Sequence, residues 1–232
     1  MRQRPTGPFL LDESLAFPPV EFADEQGLLA IGGDLSVERL LLAYRSAIFP
    51  WPWYDNMPMF WWSPDPRFVL YPGELKLSRS LRARMRRGDY ELRFDTAFRE
   101  VMEGCADSPR PGQDGTWVTD ELIDGYVALH EAGHAHSVES WQDGELVGGF
   151  YGVGIGDLFC GESMFARKPD ASKVAFARFV QTGWFRLIDC QLETEHLARF
   201  GARDIPRTDY LAELAQCLQA PGRVGSWTDA EV

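Results

Sequence analysis

The stretch that most limits the fold is residues 145–165, ELVGGFYGVGIGDLFCGESMF. Aromatic and branched residues broken by glycines read as two strands joined by a glycine-rich turn. The second strand carries Glu162 into a core. A shorter strand, Leu-Ile-Asp-Cys-Gln at 187–191, also sets polar groups in an apolar run. Side chains two apart on a strand share a face. Asp189 and Gln191 are therefore expected on one face, and Ile188 and Cys190 on the other. A carboxylate and an amide buried together must be satisfied by partners or used for chemistry. The glycines at 148, 149, 152, 154 and 156 do not form G-x-G-x-x-G before a helix, so they read as close backbone approach and strand curvature.

The neighbouring sequence extends this sheet. Asp143-Gly144 between strand patterns at 136–141 and 145–153 signals a hairpin. A further strand is expected over 156–165, then a helix over 172–184, a strand at 187–192, and helices at 193–200 and from Thr208 to before Pro221. Upstream, Ser36 caps a helix over 37–46 with Val37, Leu40, Leu41 and Tyr44 on one side. Residues 67–70 read as a strand, and 76–87 as a helix stopped by Gly88. Asp95 is expected to cap a helix running to 106. A loop is expected over 104–115, and Thr119 should cap a helix ending near 132. The order predicts an α+β fold with a mostly antiparallel sheet and one crossover. Residues 1–62 form a small N-terminal domain. Ser63-Pro64-Asp65-Pro66 is the junction to the second domain, 63–232.

Charge sorts the classes of partner. The 232-residue chain carries a formal net charge of −12, which favours a basic partner over nucleic acid. The helix pattern KLSRSLRARMRR at 76–87 runs against that sum. Leu77, Leu81 and Met85 take one face, and Lys76, Arg79, Arg82, Arg84, Arg86 and Arg87 occupy the rest with no acid among them. Solvated helix faces mix signs in i,i+4 pairs, so this face is read as a phosphate-backbone contact. The cysteines, Cys105, Cys160, Cys190 and Cys217, form no C-x-x-C pair, which points to a reducing cytosol without disulfides or a thiolate zinc site. No apolar run approaches the roughly 20 residues that span a bilayer. The N-terminus has too short an apolar core for a secretory signal.

His130-Glu131-Ala132-Gly133-His134 matches H-E-x-x-H, the zinc-hydrolase pattern, which needs both histidines on one continuing helix. Gly133 is a helix stop, so His134 should lie beyond the helix. His196, without an evident partner, reads as surface or satisfied core. The prolines and aromatics of Phe49-Pro50-Trp51-Pro52-Trp53 and Phe60-Trp61-Trp62 read mainly as core, with a stacking wall for a base as the second reading. The strand arrangement invites comparison with acyl-CoA N-acyltransferases. The loop that would hold the CoA pyrophosphate is ARKPDASK, which has no glycine and speaks against CoA.

GGDLS, IFPW, FWWSPDPR, TWVT, LHEAGHAHSVE, LVGGFYGV, LFCGESMF, ASK, LIDCQ and IPRTDYL occur in order along nearly the whole chain. Together they resemble the bacterial leucyl/phenylalanyl-tRNA–protein transferases. The resemblance implies a second domain of GNAT-like fold that has lost CoA. It also implies transfer of Leu or Phe from Leu-tRNA or Phe-tRNA to the N-terminal amine of proteins starting with Arg or Lys. That transfer marks the acceptor for N-end-rule degradation in the cytoplasm. By the same resemblance Trp51 and Trp117 hold the terminal adenosine, and Glu162 belongs to the same aminoacyl-adenosine site. Met164 and Phe179 line the apolar side-chain pocket, and Phe150 stands where the family is expected to carry Met. Asp189 and Gln191 match the proposed catalytic pair. Lys76, Arg79, Arg82, Arg84, Arg86 and Arg87 suit the acceptor stem. No metal, ATP or other cofactor is implied, and a monomer is expected. Ester aminolysis needs chiefly alignment and loss of an amine proton, which Asp189, Gln191 or the tRNA ribose can serve. A CoA-dependent small-molecule acetyltransferase and a zinc peptidase built on the HEAGH segment stand as the alternatives.

Overall fold

The computed structural model describes residues 6–52, 57–108 and 118–230. Its first sheet is built from β1 (Phe9–Leu11), β2 (Leu28–Gly32), β3 (Phe49–Pro50) and β4 (Phe60–Trp62), in the order β1-β2-β4-β3. Phe49–Pro50 of the first aromatic run and Phe60–Trp62 of the second are thus the paired strands β3 and β4. Between β2 and β3 lies α1 (Val37–Arg45), whose first turn is closed by Ser36 Oγ accepting from the Arg39 N–H at 3.3 Å. This cap and this length follow the sequence pattern.

The second sheet has β5 (Arg67–Leu70), β6 (Glu91–Phe94), β7 (Ala135–Gln142), β8 (Glu145–Ile155), β9 (Leu158–Ala166), β10 (Leu187–Gln191) and β11 (Arg203–Ile205), in the order β11-β5-β10-β9-β8-β7-β6. Around it stand α2 (Arg79–Arg87), α3 (Phe98–Ala106), α4 (Asp120–Glu131), α5 (Ala171–Gln181), α6 (Glu195–Arg199) and α7 (Arg207–Cys217). The molecule is α+β. Five of the sheet's neighbouring pairs are antiparallel, and β9–β10, connected through α5, is parallel. β9 runs to Ala166, yet β10 pairs with it only at Leu158, Phe159 and Cys160. Beyond Cys160 the two strands part, and the fork between them becomes a cavity.

Alternate residues of the central strands feed two cores. Tyr151, Val153, Leu158 and Leu187 join a cluster with Tyr44, Trp61, Val101 and Tyr126. Phe150, Phe159 and Ile188 join another with Leu81, Met85, Phe176 and Phe179. The period-2 alternation of a strand buried on both faces produces this division.

Several local expectations change. The basic helix starts at Arg79, where Ser78 Oγ accepts from the Leu81 N–H at 3.1 Å, so Lys76 precedes it. Gly88, at φ 68°, ends it as expected. Asp95 does not cap α3. It adopts φ 56°, and its carboxylate accepts from the Ser137 N–H at 2.9 Å and the Trp227 N–H at 2.8 Å and meets His136 Nδ1 at 2.9 Å. The chain entering α3 is held from β7, where Glu139 accepts from the Thr96 and Ala97 N–H groups at 2.9 and 2.8 Å. A long-range carboxylate thus holds the backbone N–H groups just ahead of the helix, which nearby sequence does not show. Gly104 belongs to α3 rather than to a loop. In the HEAGH segment α4 ends at Glu131, Gly133 takes φ 81°, and His134 lies past the helix. The His130 ring stacks on Phe98 at 4.3 Å, and its Nδ1 meets the Ala135 carbonyl at 2.8 Å.

Candidate active site

The fork between β9 and β10 opens into a cavity of about 670 Å³, within the range of small-molecule sites. Its walls are Gly161, Glu162, Ser163 and Met164 on β9 and Ile188 to Gln191 on β10. Phe150 and Phe176 close the apolar end, while Pro50 and Trp51 reach in from the first sheet.

Two irregularities aim the polar side chains. On β9, Ser163 pairs with Tyr151 and Gly161 with Gly152, so Glu162 is the extra residue of a bulge. On β10, Asp189 pairs with Val69 and Gln191 with Phe68, so Cys190 is extra there. Gln191 follows at φ 62°. Bulges re-aim side chains, and here both turn polar groups into the fork. Glu162 Oε1 accepts from Gln191 Nε2 at 2.8 Å and from the Tyr44 hydroxyl at 2.7 Å. Tyr44 in turn shares a short hydrogen bond with Tyr126. Burial pushes the Glu162 carboxyl up to about 7, against the pull of its Tyr44 and Gln191 donors. Burial also raises both phenols well above their ordinary range, with the Glu162 charge adding to it, so they act as donors.

Asp189 is fully buried and saturated. Arg67 holds it bidentately, Nε to Oδ1 at 2.9 Å and Nη2 to Oδ2 at 2.6 Å. The Tyr210 hydroxyl donates to Oδ2 at 2.8 Å, and the Gln191 backbone N–H to Oδ1 at 2.9 Å. The guanidinium sits 4.7 Å from both the Phe49 and Tyr210 ring centroids. Burial alone would lower the Arg67 pKa; the Asp189 charge, the Tyr210 phenol and the hydrogen bonds to Asp189 together outweigh it and raise it. The carboxylate therefore fixes the backbone at Gln191, whose amide reaches Glu162. Burial and the Asp189 charge push the Cys190 thiol up, which denies the cavity a thiolate nucleophile.

The sequence profile described as leucyl/phenylalanyl-tRNA protein transferase matches residues 69–215, and that of its N-terminal domain matches 33–65. A leucyl/phenylalanyl-tRNA–protein transferase of Myxococcus xanthus (strain DK1622) is 58% identical over 216 residues, covering 92% of each chain. One from Stutzerimonas stutzeri (strain A1501) is 56% identical over 218 residues, covering 92% of this chain and 96% of that one. The chain belongs to the leucyl/phenylalanyl-tRNA–protein transferase family. Likeness to solved structures is remote: a conserved protein of unknown function from Bacteroides thetaiotaomicron VPI-5482 matches at 14% identity and TM-score 0.41, over 69% of this chain and 57% of that one.

Of the residues that the family resemblance singled out, the cavity brings together Trp51, Phe150, Glu162, Met164, Asp189 and Gln191. Phe150 and Met164 are cross-strand partners. Phe179 stands one layer back, packed on Phe150 at 5.4 Å, and Phe176, a turn earlier on α5, takes the cavity face. Trp117 and Trp53 lie outside the described residues. His196, expected at the surface or as a satisfied core residue, lines the cavity, and burial lowers its pKa, leaving a neutral ring. On α2, Arg84 turns to Asp89 at 2.8 Å and Arg87 approaches the same carboxylate at 3.5 Å, so an acid just past the helix takes two of the cations. Lys76, Arg79, Arg82 and Arg86 are exposed and make no ion pair with any described residue. Tyr44, Tyr126, Arg67 and Tyr210 carry the site's hydrogen bonds and were not legible in the sequence. The one hint for Arg67 is an arginine opening an otherwise apolar strand.

Proposed function

We propose that this chain moves a leucyl or phenylalanyl group from the 3′ end of its tRNA to the N-terminal amine of proteins that start with Arg or Lys. The observation that carries this is the fork itself, an apolar end of Phe150, Met164 and Phe176 leading to the polar point where Gln191, Tyr44 and Glu162 meet. An aliphatic or aromatic side chain suits the first part, and an ester under attack by an amine suits the second. The amine nitrogen bonds to the ester carbonyl carbon and the C–O bond to the ribose breaks. The leaving ribose oxygen takes up the proton that the amine gives up. Glu162, with a pKa of about 7, is the cavity group matched to relay that proton at neutral pH. Gln191 orients the reacting groups and Asp189 positions Gln191. Trp51 stacks on the terminal adenosine, with Trp117 as its companion.

The exposed cations Lys76, Arg79, Arg82 and Arg86 contact the acceptor stem, helped by Arg87, while Arg84 braces the helix. The net charge of −12 suits an acceptor with a basic first residue. The parallel β9–β10 fork supports a GNAT-like second domain, 63–232, joined to a small N-terminal one, 1–62. CoA is not the donor: the segment leading into α5, ARKPDASK, has no glycine to cradle a pyrophosphate. The protein works as a monomer in the cytoplasm, tagging acceptors for degradation. Mixing it with labelled Leu-tRNA and an Arg-starting peptide tests this. Label is expected at the peptide N-terminus, and no transfer to that peptide, with transfer to an Ala-starting control equally absent, overturns the reading.

A further inference from the structure

Gly161 precedes Glu162 on β9 and lines the cavity. Three other glycines of this hairpin are glycine because packing leaves no room, and a fourth, Gly154, has room but lies away from the cavity. A Cβ would stand 2.6 Å from the Ala171 Cβ at Gly148, 2.6 Å from the Val138 carbonyl oxygen at Gly149, and 2.3 Å from the Cys160 carbonyl oxygen at Gly152. Gly161 lacks both ordinary reasons to be glycine. It is not in the left-handed region, and a Cβ there meets only the Asp189 carbonyl oxygen, at 3.7 Å, an ordinary contact. Alanine would fit and would suit a strand better, since glycine there costs conformational entropy and packs nothing. A strand glycine with no packing reason marks a bulge, a bend or the close approach of a ligand or another backbone, and Gly161 both adjoins the Glu162 bulge and faces the cavity.

The order along β9 says which ligand. Met164 belongs to the apolar end that suits the donor side chain, and Glu162 to the polar centre. Gly161 lies on the side of Glu162 away from Met164, flanked by a carboxylate and facing a carbonyl oxygen, both acceptors for N–H groups. We infer that Gly161 is the wall along which the acceptor polypeptide's first residue brings its α-amine to the donor ester. The inference rests on the aminoacyl-transfer reading above. In that step the amine nitrogen gains the acyl carbon, the ester C–O bond breaks, and the displaced ribose oxygen ends as a hydroxyl.

The test compares wild type, Gly161→Ala, Gly161→Ser and Gly152→Ala by thermal unfolding, by Kd for Leu-tRNA, and by single-turnover transfer to an Arg-starting peptide over a range of peptide concentrations. Gly161→Ala is expected to keep Tm within about 2 °C of wild type, about 0.5–1 kcal/mol in a chain this size. Its donor Kd should be unchanged, and its kcat/KM for the peptide should fall by about 100-fold, the effect of misplacing reacting groups by about 1 Å. Gly161→Ser should be slower still. Wild-type transfer by Gly161→Ala overturns the inference, as does a Tm loss matching that of Gly152→Ala. Weakening of donor binding as large as the loss of transfer also overturns it, by putting the glycine at the donor. Wild-type protein that binds Leu-tRNA yet labels no peptide removes the aminoacyl-transfer reading and this inference together.

Discussion

Asp189 accepts hydrogen bonds from Arg67, Tyr210 and the Gln191 backbone, so its charge is committed before any substrate arrives. Removing one partner of a buried ion pair leaves the other uncompensated, at about 3–5 kcal/mol. Asp189→Ala and Asp189→Asn are therefore both expected to lose stability of that order, read by denaturant unfolding. Gln191→Ala, which removes only a side chain bonded to Glu162, should cost little stability and mainly slow single-turnover transfer. An Asp189→Ala protein as stable as wild type would remove the anchoring role. Glu162 governs the pH response. Its folded pKa of about 7 exceeds the ordinary 4.5, so the folded protein holds the extra proton between those values. The contribution of Glu162 to stability is fully present below about 4.5 and is lost as pH rises through 7, by on the order of 3 kcal/mol. Glu162→Gln should flatten that slope and abolish an inflection near pH 7 in the transfer rate. An inflection that persists in the variant assigns the titration to another group. The two-residue alternation placed Asp189 and Gln191 together from sequence. It did not show that a bulge and a φ of 62° at Gln191 are what bring its amide to Glu162.

At the scale of elements, α2 divides its cations by what they touch. Arg79, Arg82 and Arg86 face solvent, and Arg84 pairs with Asp89. Reversing Arg79, Arg82 and Arg86 to Glu is expected to weaken binding of every tRNA alike. It should also flatten the salt dependence, by about 0.9 in log–log slope for each phosphate that the helix no longer neutralises. Arg84→Glu should shift unfolding more than it shifts the salt slope. A salt slope unchanged in the triple variant leaves α2 as a solvated face. The helix was legible because apolar residues recur every fourth position and Gly88 stops it, while the Ser78 cap that sets its start at Arg79 was missed. Its Asp89 partner lay one residue past the stop, outside the pattern that periodicity inspects. The α3 start was misread for a related reason: Asp95 is the residue type that caps helices, but the Glu139 carboxylate arrives from another strand.

Across the whole molecule the two sheets share one core. Leu29, Tyr44 and Trp61 from the first unit lie in the same cluster as Tyr126, Tyr151 and Leu187 from the second. A chain beginning at residue 63 would expose that surface and lose the Tyr44 donor. It is expected to bind an apolar dye and unfold without a sharp transition; cooperative unfolding with wild-type midpoint would show the second unit to be self-sufficient. What the sequence determined by itself is local: most helix and strand positions, the Ser36 and Thr119 caps, the Asp-Gly hairpin, the glycine that ends α4 before His134, and the ordered motifs of the family. These depend on neighbours within a few residues, where propensity, period and capping act. What only the tertiary structure decided is which partners meet. Tyr44 reaches Glu162 across 118 residues and Arg67 reaches Asp189 across 122. Such pairings exist only once the sheet has closed and its strands have taken their register. No local pattern encodes which donor arrives at a buried carboxylate, and so the same two acids read alike in the sequence. In the fold one is an anchored ion pair, and the other opens to the cavity with a pKa near 7.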